Sequence, residues 1–522
     1  MNKKVFRTPV KNEDRLTTNE AGGRAYDRTF EESLAQFAMT SFFEDGFYVT
    51  AAGQAQKMVK LARRCDPGFV ARLAVYSFES GKMKDVPVVL MATLMRPETM
   101  PLFDAVFPRV VTNGKQLCNF ARVVRSGTVT PGRSFGTHTK RTIQKWLNAR
   151  TPRALHKDSI GESPSLRDVL RMVHPRPDSP ERDTLYRYLV GREIPNPALL
   201  PDFIQAYEAF KAGQTTQIPE VDHRFLTALP LTTDQWKALG LAMPWHALRM
   251  NLNTLARHGC FDDPAYVGSI ADRLVSLLDM GHVRVMPYQL LAAYKFADGL
   301  PVEVTNALQD AMEVAVSAGR PLGRNVLLMI DGSGSMSSPM SAQSKMTCCD
   351  VAGLFAAAIV RNNPDATVMV FNTDAHVARI NPRDSVMTNA AMLAQSSGGT
   401  DCAAPMALAN AMGLTADMLI MLSDNESWFN GRDYDVRRTG MASEWNTYRR
   451  RVPEARLVCV DIAVTDTTQV VGDTLTLNIG GFSDNVFDLI NAYAASDDVA
   501  TPMGLVERVM AVSFDTPVTT VL

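Results

Sequence analysis

Nowhere in this 522-residue chain do apolar residues run uninterrupted for the roughly 18 positions a membrane helix needs, and the opening stretch, MNKKVFRTPVKNEDRL, lacks the apolar core of a signal peptide. A soluble, cytoplasmic protein is expected. Cysteine is sparse: Cys65, Cys118, Cys260, Cys348, Cys349, Cys402 and Cys459 make an odd seven with no C-x-x-C pair among them. This excludes the usual zinc and dithiol patterns and leaves buried, reduced thiols as the expectation. The eight histidines are too dispersed for an imidazole-rich centre, so any metal here should be hard and oxygen-bound. No G-x-x-x-x-G-K-[ST] phosphate loop is present either.

Acidic residues are missing from one place in particular. From Ala105 to Lys157 there are eleven Lys or Arg and no Asp or Glu, although the whole chain carries only −1. A face that is merely soluble would mix signs, so this segment reads as a surface for phosphates. From Asn325 to the end the balance reverses, with twelve basic and twenty-two acidic residues. That part is a poor candidate for holding a nucleic-acid backbone.

What is present divides the same way. A chain of this length exceeds one hydrophobic core and should form at least two domains. Up to residue 319 the apolar residues recur at helical spacing, as in MVKLARR, FVARLAVYSF, DVLRMV and ADRLVSLLDM, with Pro and Gly turns between. Helices in series suggest stacked pairs, in a solenoid or ring. From residue 320 the pattern becomes strand, helix, strand: NVLLMID, DVAGLFAAAIVRN, ATVMVFN, APMALANAM, DMLIMLSD, ARLVCVDIAV. That is an α/β domain with a parallel sheet. The expected domains are therefore 1–319, all-α, and 320–522, α/β.

The run NVLLMIDGSGSM has the continuous apolar character of a strand buried on both faces, and it stops at Asp331. Asp331, Ser333 and Ser335 then place three oxygen donors on one loop at the carboxyl end of the sheet, where open α/β sheets bind ligands. Two more loops follow other strands: SGGTD with Thr400, and MLSDNES with Asp424. Each alone is ordinarily a turn or a helix cap. Together they favour a metal site. Catalysis is not expected: no second carboxylate cluster and no nearby general acid or base accompanies the Asp424-Asn425-Glu426 loop.

The basic segment carries its own pattern. In TKRTIQKWLNA, Ile143 and Leu147 face a core while Arg141 and Lys145 share another face, with Lys140 beside them. In SLRDVLRMVH, Leu166, Val169, Leu170 and Val173 form the apolar stripe, Ser165 and Asp168 read as a capping box, and Arg167, Arg171 and His174 fall at i, i+4 and i+7. Arg150, Arg153, His156 and Lys157 lie between, expected as a loop adding phosphate contacts. The bland alternative throughout is a solvated face and a structural histidine. The complete absence of acid from Ala105 to Lys157 tips the balance.

The three-loop pattern resembles the metal-ion-dependent adhesion site of von Willebrand factor A domains, which implies Mg²⁺ or another divalent cation on Asp331, Ser333, Ser335, Thr400 and Asp424. Taken with SLRDVLRMVHPRP, WHALRMNLNTLARHG, RVMPYQLLAAYKF, GGTDCAAPM and GGFSDNVFDLI, nearly the whole chain resembles the Ro autoantigen proteins. The resemblance implies an all-α TROVE ring of HEAT-like repeats followed by a Rossmann-like A domain. It also implies binding of small noncoding Y RNAs on the basic outer surface and of single-stranded 3′ ends of misfolded or damaged RNA through the ring hole. His174 matches the family's Y RNA histidine, with Arg167 and Arg171 beside it. A 3′-to-5′ exoribonuclease such as polynucleotide phosphorylase is the implied partner, and a monomeric ring the implied state. The loop RTPRALHKDSIGESP departs from the animal proteins, and the N-terminal form looks more bacterial or phage-like. Two other readings stay open: a metal-dependent protein scaffold, and an adaptor of a chelatase or ATPase.

Overall fold

The computed structural model describes residues 16–514 except 19–23, 28, 41–50, 82, 130–131, 162, 280–284, 286, 318, 320, 324, 341–343, 425–426, 428–438, 463–466, 471–474, 481–484 and 496–504. Asn425, Glu426 and part of GGFSDNVFDLI therefore lie outside the described residues. By packing, the chain forms two compact units: Met1–Gln54 with Ala271–Ala511, and Ala55–Ile270 with Val512–Leu522.

The second unit is helical, as its 3.6-residue periodicity requires. Its helices include Pro67–Glu79, Met100–Val110, Gly114–Ser126, Thr137–Ala149, Leu166–Val173, Pro180–Val190 and Trp245–Arg257. Four of these helices start at a side chain that accepts a bond from a first-turn amide, those of Asp66, Asn113, Ser165 and Ser179, and Thr232 does the same for helix Thr233–Ala242. The Ser165–Asp168 capping box is formed as expected. Phe103, Phe107, Phe120 and Phe135 join two helices and the segment before a third in one aromatic cluster, with ring centroids 5.5–6.0 Å apart. Arg72 and Arg109 donate to the carbonyls of Val512 and Ser513 at 3.1 and 2.7 Å, tying the returning chain end to this unit.

The first unit holds two sheets. A small antiparallel one joins β1 (Leu16–Thr18), β2 (Arg24–Asp27) and β8 (Thr467–Thr468), which no sequence pattern announced. The main one contains β3 (Val326–Asp331), β4 (Thr367–Phe371), β5 (Ala375–Val377), β6 (Met418–Ser423), β7 (Arg456–Asp461) and β9 (Thr476–Gly480), in the order β5-β4-β3-β6-β7-β9. All neighbours are parallel except the short edge strand β5, and every residue of β3, β6 and β7 is buried. The uninterrupted apolar runs are explained by that double burial. Trp445 and Tyr448, from helix Gly440–Arg451, fill one face with Leu327, Met329, Met421 and Leu457.

The sequence pattern changes at residue 319, but packing draws its line earlier. Helices Pro287–Lys295 and Val302–Ser317 lie against helices Cys348–Asn362 and Val386–Leu393 of the sheet unit. Glu313 ties them, accepting from Arg361 and from the Val386 amide at 2.5 and 2.7 Å. All seven cysteines are buried and free, as expected for reduced thiols.

Candidate nucleic-acid interface and metal centre

The basic helix Thr137–Ala149 buries Ile143 and Leu147 completely, which leaves Arg141 and Lys145 exposed and Lys140 at the edge. Gln144, next to Lys145, donates to the carbonyls of Val173 and His174 at 2.9 and 3.3 Å. That clamp brings the first cationic row beside the end of helix Leu166–Val173, where Arg167, Arg171 and His174 are exposed. Among the described residues, none of Lys140, Arg141, Lys145, Arg167 and Arg171 forms an ion pair. Guanidinium and ammonium groups held outward without carboxylate partners suit phosphate oxygens.

Two details differ from the expected pattern. The helix ends at Val173, and His174 takes the left-handed conformation (φ 51°), its amide donating to the Leu170 carbonyl at 2.9 Å. It therefore leaves the helical row that i, i+4, i+7 spacing assigned it. Arg150 to Lys157 is not a loop, because Thr151 caps and Pro152 opens a short helix, Pro152–Asp158.

That helix also redirects its charged residues. Arg150 pairs with Asp158 at 2.8 Å, donates to the Thr112 carbonyl and lies over Trp146. Arg153 pairs with Glu220 and Lys157 with Asp222. His156 is only 3% exposed, stacked on Phe225 at 4.0 Å and ringed by Tyr188, Phe203 and Tyr207. Its burial makes it a core residue of this unit, where the sequence had placed a phosphate contact. The acid-free stretch draws acids from outside itself: Asp158, Glu220 and Asp222 here, and Asp104 on His138 at 2.8 Å.

Burial pushes the His156 imidazole down to about 4, below its ordinary 6.5, so the ring is neutral in the folded protein near pH 7. A base with a depressed folded value binds more protons when unfolded, so stability is full above 6.5 and falls as pH drops toward 4. At about 1.4 kcal/mol per pKa unit, reduced for solvent screening, the loss is about 2 kcal/mol. Urea unfolding at pH 7.5 and 4.5 checks this: His156→Phe should lose less stability over that interval than the parent, and equal loss in both refutes it.

The sheet unit assembles the second site. β3 and β6 are parallel neighbours with Ile330 opposite Leu422, so Asp331 and Ser423 end side by side, and Ser423 Oγ donates to Asp331 Oδ2 at 2.6 Å. The Ser333 amide donates to Asp331 Oδ1 at 2.8 Å, and Ser333 Oγ lies 3.1 Å from Ser335 Oγ. Backbone bonds knit the neighbouring loops to this one: Gly332 N to the Phe371 carbonyl, Ser397 N to Gly332 and Gly334 N to Gly398, at 2.7, 2.7 and 3.0 Å. A side chain at Gly332 would meet the Gln395 carbonyl at 2.9 Å, and Gly398 has φ +78°, so glycine is required at both positions. The Asp401 amide donates to the Asn372 carbonyl at 2.8 Å, anchoring the loop that carries Thr400.

Asp331, Ser333, Thr400 and Asp424 are 1, 1, 3 and 5% exposed, and Ser335 is half-buried. Burial first, and the Asp424 charge second, push the Asp331 carboxyl well above its ordinary range. Two carboxylates buried together are costly without a compensating cation. Among the described residues no three His, Cys, Asp or Glu side chains converge as a metal site, so a cation here would rest on carboxylates and hydroxyls. Burial pushes the Cys348 thiol up to about 12 and the Cys402 thiol well above its ordinary value, keeping both protonated beside the site. These hard oxygen donors fit a small divalent cation. Sequence reasoning missed Ser423 and Asn372, whose only signal was a polar residue where an apolar strand stops.

The Ro60 von Willebrand A domain family matches residues 325–494. RNA-binding protein RO60 of Deinococcus radiodurans is 27% identical over 470 residues, covering 80% of this chain and 84% of that protein. The protein of the same name from Caenorhabditis elegans is 22% identical over 539 residues, covering 82% of each. The crystal structure of the Deinococcus radiodurans Ro protein superposes with a TM-score of 0.63 at 21% identity, over 89% of this chain and 99% of that one. With a helical region followed by this A domain, and Ro proteins matching across both, the chain is similar to Ro proteins over most of its length.

Proposed function

We propose that this protein binds RNA through the exposed cations of helices Thr137–Ala149 and Leu166–Val173. The observation that carries the reading is the clamped pair of cationic rows, held outward without ion-pair partners among the described residues, the first of them in a segment that has no acid of its own. The names of its relatives, RNA-binding proteins, support it. In this reading phosphate contacts supply affinity, and His174, exposed at the end of one row, stacks on or hydrogen-bonds to a base.

The finer part rests on the family resemblance. Small noncoding Y RNAs would occupy the basic surface, and single-stranded 3′ ends of misfolded RNA would pass through a ring formed by the helices. The protein would act in noncoding RNA quality control as an adaptor to a 3′-to-5′ exoribonuclease such as polynucleotide phosphorylase. It would be a binding protein and not a catalyst, at work in the cytoplasm as a monomer. Among the described residues no helix is long and apolar enough to cross a membrane. Mg²⁺ held by Asp331, Ser333, Ser335, Thr400 and Asp424 would supply an electrophilic centre for a partner carboxylate. Ser423 and the Ser333 amide hold Asp331 in place for it.

Titrating the full-length protein with a hairpin RNA, with and without a single-stranded 3′ tail, tests the proposal. Salt-dependent binding of both and tighter binding of the tailed form are expected. Binding of neither sinks the RNA reading and leaves the metal-dependent scaffold, which the paired buried carboxylates favour.

A further inference from the structure

At the short helix that follows Thr137–Ala149 in the chain, the helical unit contains a half-open cavity of about 350 Å³. It is lined by Arg153, His156 and Lys157 of helix Pro152–Asp158, Phe203 of helix Asp202–Lys211, and Glu220 and Asp222 of the segment that follows. The volume lies at the lower end of the range for small-molecule sites, about 300–1,000 Å³, with room for one flat ring system and its sugar.

Its chemistry excludes a phosphate as the occupant. Arg153 donates to the Glu220 carbonyl at 2.8 Å and pairs with its carboxylate at 3.4 Å, and Lys157 lies 3.9 Å from Asp222. Those charges cancel, and two carboxylates on the wall would repel an anion. The remaining features are flat and aromatic. The Arg153 guanidinium lies 4.7 Å over the Phe203 ring, forming an exposed cation–aromatic platform. His156, 97% buried by its 3% exposure, packs edge-on to Phe203 at 5.5 Å, and its Nε2 has no hydrogen-bond partner. A buried nitrogen in that state is destabilising until a ligand or water satisfies it. The ring is neutral near pH 7, so it suits an uncharged heteroaromatic edge.

We propose that this cavity receives one unstacked nucleobase, which stacks against the Phe203–Arg153 platform and exchanges a hydrogen bond with His156 Nε2. The base would come from an RNA strand held on the cationic helices or from a free nucleoside. The first source rests on the RNA reading above. Arg153, His156 and Lys157 then contribute to RNA binding as the walls of a base pocket, with the phosphates left to Arg141, Lys145 and Arg167. Aromatic platforms accept any base, because every base has a π face.

The test uses the full-length protein and a hairpin whose 3′ tail carries an abasic nucleotide at each position in turn. One position should weaken binding by about 10-fold in the parent, and that penalty should disappear in Phe203→Leu, which keeps bulk and removes the aromatic face. His156→Phe, which keeps the packed ring and removes Nε2, should show part of the same loss at the same position and serves alone if Phe203→Leu does not fold. Tight binding of the tailed RNA with no position coupled to Phe203 or His156 overturns the pocket and leaves the RNA reading standing. If no RNA binds, titration with adenosine and guanosine decides the second source. Saturable binding lost in Phe203→Leu supports the pocket, and absence of binding overturns it.

Discussion

Changing Arg141, Lys145 and Arg167 together to glutamine is expected to weaken binding of a 3′-tailed hairpin RNA by at least about 100-fold at low salt. All three are exposed and none forms an ion pair among the described residues, so folding stability should move by no more than about 0.5 kcal/mol. Each lost phosphate contact removes about 0.7–0.9 from the slope of log affinity against log salt, so the triple variant should flatten that slope by about 2–3. Arg150→Gln is the contrast. Its charge is spent on Asp158, Thr112 and Trp146, so it should lower stability and leave the salt slope unchanged. Fluorescence anisotropy at several salt concentrations separates the cases. An unchanged slope in the triple variant would mean that these cations do not meet phosphates.

The second large effect belongs to the sheet edge. Mg²⁺ at about 100 times its dissociation constant should stabilise the sheet unit by about 2.7 kcal/mol, by mass action on the folded state alone. Asp331→Asn should abolish that response. In metal-free buffer the variant should be at least as stable as the parent, because it removes one of two carboxylates buried together while retaining a side chain that can accept from Ser423. Thermal unfolding with EDTA and with Mg²⁺ reads both halves. A Mg²⁺ response that survives in Asp331→Asn would show that the cation binds elsewhere.

How much of this was legible in the sequence depended on how far each residue's partners lie along the chain. β3, β6 and β7 could be read because a doubly covered strand is apolar at every position, and the loop polarity that follows marks its end. The Ser165 capping box is likewise written within four residues. His156 could not be read, since its burial depends on Phe203, Tyr207 and Phe225, about fifty to seventy positions further on. The same holds for Arg153 and Lys157, which find Glu220 and Asp222 across the packed unit. An acid-free window describes charge along the chain, whereas a phosphate meets charge in space. The edge strand β5, half exposed and three residues long, carries too little pattern to be seen at all.

His174 occupies the left-handed position just after a helix, held there by the Leu170 carbonyl and bracketed by the Gln144 clamp. Glycine fills such positions most readily, because an L side chain in that conformation costs roughly 1–2 kcal/mol. The ring, exposed to solvent, returns none of that through burial. Selection for thermal robustness alone would put glycine at 174. An imidazole there marks a point where the chain has given up rigidity for a group that faces outward, toward something the fold itself does not contain.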